Sequence, residues 1–306
     1  MTGVKAVTIV DVGPRDGFQP IGPFIPTDQK LTTIRQLHAA GLRRIEATAF
    51  VSDVAVPQLA DAATIVQATQ DLDGLEVQVL VPNLRHTERA LAAGATRLAF
   101  VLSVSEKHNM NNVRRTPLDS VAEYARICAM LPEGVAMRIN LATAFDCPFD
   151  GPVDPAEALD IIARVAAIKP DAELCLCDTT GRVTPDRVAA LLGTARSRHP
   201  EVAQWAFHGH DTYGLGVANV IAATTAGLTV IDASVAGLGG CPFAPGATGN
   251  VATEDVVWTL ERMGISTGID LMALIAVAGE AAKLPGATAG GRVRDALVAT
   301  LCRQEA

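Results

Sequence analysis

Aromatic residues are scarce: eight Phe, two Trp and two Tyr make up 4% of the 306 residues. A core resting on large rings is excluded, so it must come from the small aliphatics that dominate a 49% hydrophobic composition. Positive charge is also in short supply. With 25 Lys and Arg against 33 Asp and Glu the formal net charge is -8, and a chain without a basic face to displace counterions is not expected to bind nucleic acid. No apolar run reaches bilayer length. The longest late one, residues 271–284, is interrupted by Glu280 and Lys283, so no membrane association is expected. The six cysteines (Cys128, Cys147, Cys175, Cys177, Cys241 and Cys302) lack the spacing of a disulfide scaffold. A strand-like run begins within the first residues and leaves no room for a leader. Together these absences predict a soluble cytoplasmic protein with free thiols.

What is present is a rhythm. Runs rich in β-branched residues at 7–12, 44–50, 76–82, 97–104, 135–143, 173–178, 205–210 and 230–237 alternate with Ala- and Leu-rich stretches at helical period. In the first of these stretches Thr27 stands where an N-cap belongs, Leu31, Ile34 and Leu37 share one face, and Gly41 closes the helix. Eight such units in this length predict an α/β fold, a single TIM (β/α)8 barrel spanning 1–306, with additional C-terminal helices from about residue 265. A doubly wound open sheet is the alternative, but no break between two half-sheets is visible. In a barrel the chemistry collects where strands end and loops begin.

That location tests each polar residue. His208 and His210 lie two apart in a strand, so they face the same side and at the strand's end can chelate one ion. Taken alone the pair is also compatible with ordinary core or loop histidines. Gly13 and Pro14 break the first strand and present Arg15 and Asp16 in the first loop; Asp16 then offers an oxygen ligand and Arg15 a fixed cation able to stabilise an enolate. Residues 237–255 form a glycine-rich loop carrying Cys241, whose thiol can serve as a proton carrier or nucleophile if its pKa is tuned. Glu46 and Asp178 are carboxylates inside apolar strands and need a cation, a metal or a structural partner. Cys175 and Cys177 also share a strand face and are assigned to the core.

The segments "VGPRDGFQ", "IEATAFVS", "VPNL", "HGHDTYG", "AGLGGCPFAPGATGN" and "VATED" occur in this order across nearly the whole chain, and together they resemble 3-hydroxy-3-methylglutaryl-CoA lyases. The resemblance implies a TIM barrel binding Mg2+ or Mn2+ through Asp16, His208, His210 and Asn250. It further implies cleavage of a 3-hydroxy-3-methylglutaryl thioester to acetyl-CoA and acetoacetate, with Arg15, Cys241, Glu46 and Asp178 as functional positions, Gln19 near the substrate, and a homodimer. Pro20 and Ile21 stand where these lyases carry Asn-Glu, and Phe18 where Leu is commoner. The loop "VSEKHNMNNVRRT" (104–116) brings in His108, Arg114 and Arg115; with Lys107 these arginines are the candidates for CoA phosphate contacts. Because such changes fall on loops that set substrate choice, a related 3-hydroxyacyl-CoA lyase and an acetyl-CoA-dependent condensing enzyme of the same superfamily are the alternative expectations.

Overall fold

The computed structural model describes residues 3–239 and 249–304, with side chains to Thr300. Eight parallel strands close into a barrel: β1 (Thr8–Asp11), β2 (Arg44–Ala49), β3 (Glu76–Val81), β4 (Arg97–Ser103), β5 (Ala136–Ala142), β8 (Glu173–Asp178), β9 (Gln204–Gly209) and β10 (Val230–Ala233). β6 (Asp146–Cys147) and β7 (Gly151–Pro152) form a separate antiparallel hairpin after β5. The closed order β1-β10-β9-β8-β5-β4-β3-β2 excludes the open sheet. Each expected strand is found within a residue or two, except that the last ends at Ala233 and a 3-10 turn, Val235–Gly237, completes the expected run.

Helices cover the outside of the ring. Those that follow the strands include α1 (Thr27–Ala39), α2 (Ala62–Gln67), α3 (Leu84–Ala92), α4 (Glu106–Val113), α5 (Pro117–Met130), α6 (Pro155–Ile168), α7 (Pro185–Arg198), α8 (Gly216–Thr225) and α9 (Thr253–Arg262). The C-terminal additions are α10 (Leu271–Ala281) and α11 (Val293–Gln304). Leu31, Ile34 and Leu37 of α1 are buried as their spacing predicts, but Thr27 is the first helical residue, not its cap. Its hydroxyl instead donates to Asp61 Oδ2 at 2.8 Å. Side-chain oxygens of Asn83, Ser105, Thr116, Asp154 and Asp270 do cap α3, α4, α5, α6 and α10, supplying an acceptor to amides that the helix leaves open.

Two cores result. The large one lies between strands and helices and is mainly aliphatic. A small one, Val10, Val12, Cys175, Cys177, Ala206 and Val230, lies apart from it, so the two strand cysteines do pack in a core. The remaining barrel interior is charged. Arg44 of β2 donates to Glu173 of β8 at 2.7 Å, and Arg138 of β5 donates to Asp232 of β10 at 2.5 Å. Neither pair joins neighbouring strands, so both span the lumen. Arg138 is fully buried; a buried guanidinium is tolerated only with paired charges and bonded hydrogens, and it also donates to Glu173 at 3.0 Å and to Asn140 at 2.7 Å.

Candidate active site

The chain leaves β1 through one π-helical turn, Gly13–Gly17. Its start is fixed by the buried Asp11, whose Oδ1 accepts from the Gly13 amide at 2.9 Å while Oδ2 accepts from the Thr253 hydroxyl at 2.7 Å. Burial raises the Asp11 carboxyl to about 6 despite those bonds. The turn puts Arg15 and Asp16 at the C-terminal mouth of the barrel. Across from it, His208 ends its rise along β9 and His210 follows just beyond.

These three side chains converge. The ligand atoms of Asp16, His208 and His210 all lie within 4.8 Å of one another, and the two imidazole centroids are 5.2 Å apart. Asn250 joins them because residues 249–251 pair with the end of β9, the Asp211 amide donating to Gly249 O and the Val251 amide to Gly209 O, both at 3.1 Å. The Asn250 amide nitrogen donates to Asp16 Oδ2 at 2.7 Å and to Leu238 O at 2.9 Å. Its oxygen, Oδ1, and His210 Nδ1 are both buried without a hydrogen bond of acceptable geometry.

The electrostatics suit a cation. Burial alone would raise the Asp16 carboxyl, but Arg15 and the two imidazoles hold it down at about 2. His210 is pushed down to about 4 by burial and by His208, so it is a neutral donor at neutral pH. Burial would lower His208 too, yet the hydrogen bond to Asp232, helped by the nearby Cys177 and Asp16, raises it to about 9. His208 Nδ1 meets Asp232 Oδ2 at 3.1 Å, which leaves Nε2 as its ligand atom. A carboxylate on the far nitrogen is the usual way of orienting a metal-binding imidazole. Orphaned oxygen and nitrogen atoms beside an ionised carboxylate thus fit a divalent ion.

Arg15 extends from the same turn and is clamped. Its guanidinium pairs with Asp16 at 2.5 Å and with Glu46, whose other oxygen accepts from Gln78 at 2.6 Å. In this structure Glu46 holds Arg15 and accepts from Gln78, which fits the orienting one of the two roles open to it. Asp178 has different neighbours. It ends β8, but its Oδ1 accepts from the Gly181 amide at 3.0 Å, tying down the turn outside the cleft wall formed by its neighbours Cys177 and Thr179. Burial raises it to about 7.

The cleft itself measures about 430 Å³ and is walled by Arg15, Asp16, Gln19, His108, His208 and His210, among others. Arg114 and Arg115 also line it, whereas Lys107 lies off the wall and pairs with Asp150 at 2.5 Å. Cys241 lies outside the described residues. The two stems of its loop are described and run beside the ligand cluster. Gly239 and Gly249 have φ of +92° and +97°, and a Cβ at Gly239 would come within 2.8 Å of both Asn250 Nδ2 and the Asp16 carbonyl. Only glycine combines that backbone with that proximity.

The HMGL-like family profile matches residues 6–280. The chain belongs to this family. Among curated relatives it is 40% identical over 272 residues to the mitochondrial hydroxymethylglutaryl-CoA lyase of Mus musculus, covering 89% of this chain and 83% of that one. To the mitochondrial hydroxymethylglutaryl-CoA lyase of Arabidopsis thaliana it is 39% identical, covering 96% of this chain and 62% of that longer protein. A solved HMG-CoA lyase from Acinetobacter baumannii, in complex with coenzyme A and 3-methylmalate, superposes with a TM-score of 0.90 at 36% identity, covering 97% and 96% of the two chains. The carboxyl transferase domain of Rhizobium etli pyruvate carboxylase, at 18% identity and a TM-score of 0.68, shares the fold alone.

Sequence reasoning missed Asp232, Arg138 and Gln78, which hold His208 and Arg15 from behind. The signal was there: each is a polar residue within a largely apolar strand, the same pattern that singled out Glu46 and Asp178.

Proposed function

We propose that the protein cleaves 3-hydroxy-3-methylglutaryl-CoA to acetyl-CoA and acetoacetate with the help of Mg2+ or Mn2+. As a member of its family it is a carbon–carbon lyase, and the observation that carries the finer reading is the convergence of Asp16, His208 and His210 with Arg15 on one cleft. Asp16, His208 Nε2, His210 and the Asn250 oxygen would hold the ion. When bound, it supplies a Lewis acid that polarises the C3 hydroxyl and lowers its pKa.

The remaining steps belong to side chains. Transfer of the hydroxyl proton to a general base in the cleft lets the C2–C3 bond break, releasing the 3-oxoacid and leaving the thioester enolate of acetyl-CoA. Arg15, held rigid by Glu46 and Asp16, presents a cation that needs no reorganisation as that enolate charge develops. Neither Arg15 nor Asp16, one permanently protonated and the other at about 2, accepts the proton at neutral pH. Cys241, on the loop whose stems flank the cluster, is placed by sequence to return a proton to the acetyl carbon. Gln19, on the cleft wall, supplies an amide to the substrate, and Arg114 and Arg115 offer cations to the CoA phosphates. The chain is read as a cytoplasmic homodimer. Free, buried Cys147, Cys175 and Cys177 suit a reducing compartment, and no described helix is long and apolar enough to cross a membrane.

The test is direct. Purified protein given 3-hydroxy-3-methylglutaryl-CoA releases acetyl-CoA and acetoacetate, stops when the metal is chelated, and resumes with added Mg2+ or Mn2+. Turnover that is indifferent to chelation would refute the metal role, and condensation of acetyl-CoA with a 2-oxoacid without thioester cleavage would refute the lyase.

A further inference from the structure

A second hollow opens off the cleft beside the ligand cluster. It measures about 330 Å³ and shares Asp16, Gln19, Ala55 and Val56 with the larger cavity. Its other walls are Pro20, Ile21, Gly22, Phe24, Pro57 and Gln58. We propose that this annex receives an alkyl group on C3 of the substrate, so that the enzyme acts on 3-hydroxyacyl-CoA thioesters whose C3 substituent is longer than methyl. The proposal rests on the lyase reading above and deepens it.

The annex is a built structure. Gln58 donates to the carbonyls of Ile21 and Pro23, both at 2.9 Å, and accepts from the Ile25 amide at 2.9 Å. One amide thereby fixes the whole 21–25 wall and spends its own polarity doing so. Lys30, buried beneath, binds Asp61 at 2.9 Å and the Gln58 carbonyl. Its ammonium lies 4.4 Å from the centre of the Phe24 ring, which anchors that ring while 52% of Phe24 stays exposed. An aromatic held open on a cleft wall is apolar surface waiting to be covered.

Charge selects the occupant. The one charged side chain in the annex lining is the anion Asp16, at the edge shared with the cleft; Lys30 is already neutralised by Asp61, and Arg114 and Arg115 line the larger cleft but not the annex. A carboxylate or phosphate entering the annex would lose its water without gaining a cation, so the CoA arm and the distal carboxylate are excluded from it. Size excludes methyl as the full occupant: one water takes about 30 Å³ of liquid, and a methyl group would leave most of the hollow wet. Ala55 and Val56 join the two cavities, so a chain on the carbon beside the ligand cluster has a continuous path.

The experiment compares 3-hydroxy-3-alkylglutaryl-CoA thioesters bearing methyl, propyl and hexyl groups on the wild type, Phe24→Ala and Gly22→Phe. A Cβ at Gly22 meets no atom within 4 Å, so the backbone there accepts a side chain. For the wild type kcat/KM rises with chain length, roughly fourfold per buried methylene at most. Phe24→Ala lowers hexyl turnover by about tenfold through KM, as loss of an aromatic wall demands, and Gly22→Phe blocks hexyl while methyl stays within about twofold of wild type. Methyl cleavage without propyl or hexyl cleavage overturns the annex but leaves the lyase standing. Variants that lower methyl and hexyl equally show that the hollow holds a part common to both substrates, and also overturn it. Cleavage of no thioester removes both readings together.

Discussion

In the lower half of the barrel the described charges meet their opposites. Arg44 holds Glu76 and Glu173 at 2.7 Å each, and Arg138 holds Glu173 at 3.0 Å and Asp232 at 2.5 Å. At the upper end the side chains are less completely bonded: His210 Nδ1 and Asn250 Oδ1 lack a well-formed hydrogen bond, and Asp16 is shared among Arg15, Asn250 and two imidazoles. Each end mixes buried with partly exposed groups, Glu76 at 50% below and Asp16 at 24% above, so exposure does not distinguish them. Satisfaction does. A paired interior charge holds the ring in shape, whereas an unsatisfied one at the strand ends marks where a ligand belongs. Asp232 is the hinge between the two regimes, with one oxygen on Arg138 below and on His208 above.

Substitutions can break this contrast at either end. The largest effect is expected from His210→Ala, which removes a ligand atom: turnover should fall by roughly 10³-fold or more, the worth of several kcal/mol of Lewis-acid stabilisation, with the melting temperature of the metal-free protein little changed. Glu173→Gln at the lower end should do the reverse. Leaving Arg44 and Arg138 short of a partner should cost about 3–5 kcal/mol in denaturant unfolding, while kcat of the folded protein holds; a large kcat loss with unchanged stability would erase the distinction. Asp232→Asn tests the hinge and should weaken Mn2+ binding by about 10–100-fold, read by titration, whereas unchanged affinity would show that His208 needs no orienting partner.

The smallest effect concerns pH. Burial raises the Asp178 carboxyl from 3.8 to about 7, so the folded state prefers it protonated. Its contribution is complete below about pH 4 and is lost as pH rises through 7. Asp178→Asn stays neutral throughout and can still accept from the Gly181 amide. Its stability relative to wild type should therefore grow between pH 5 and pH 8 and be flat below pH 4, as thermal unfolding across that range would show. A constant difference would mean that Asp178 is ionised in the fold.

The barrel was legible because its evidence is local: β-branched runs alternate with helical-period stretches along the chain, and apart from the end of the last, the strands lie within a residue or two of the expected positions. The ligand cluster was legible for a related reason. His208 and His210 share a face by strand geometry alone, and Asp16 follows a broken strand. What stayed hidden depends on closure. Arg138 and Asp232 are 94 residues apart and meet only because the ring brings β5 opposite β10. Glu46 and Asp178 looked alike in sequence, each an acid in an apolar strand, yet one faces Arg15 and the other a turn; alternation about the strand axis separates them, and the sequence pattern carries no origin for that alternation. The annex was hidden too, since it is made by a loop whose path is set by three hydrogen bonds from Gln58.

The most direct measurement is a crystal grown with Mn2+ and recorded at the manganese absorption edge. The account predicts one anomalous peak about 2 Å from an Asp16 oxygen, His208 Nε2 and a ring nitrogen of His210, with the Asn250 oxygen turned to the same ion. A peak elsewhere, or two imidazoles with no density between them and Asp16, would contradict it.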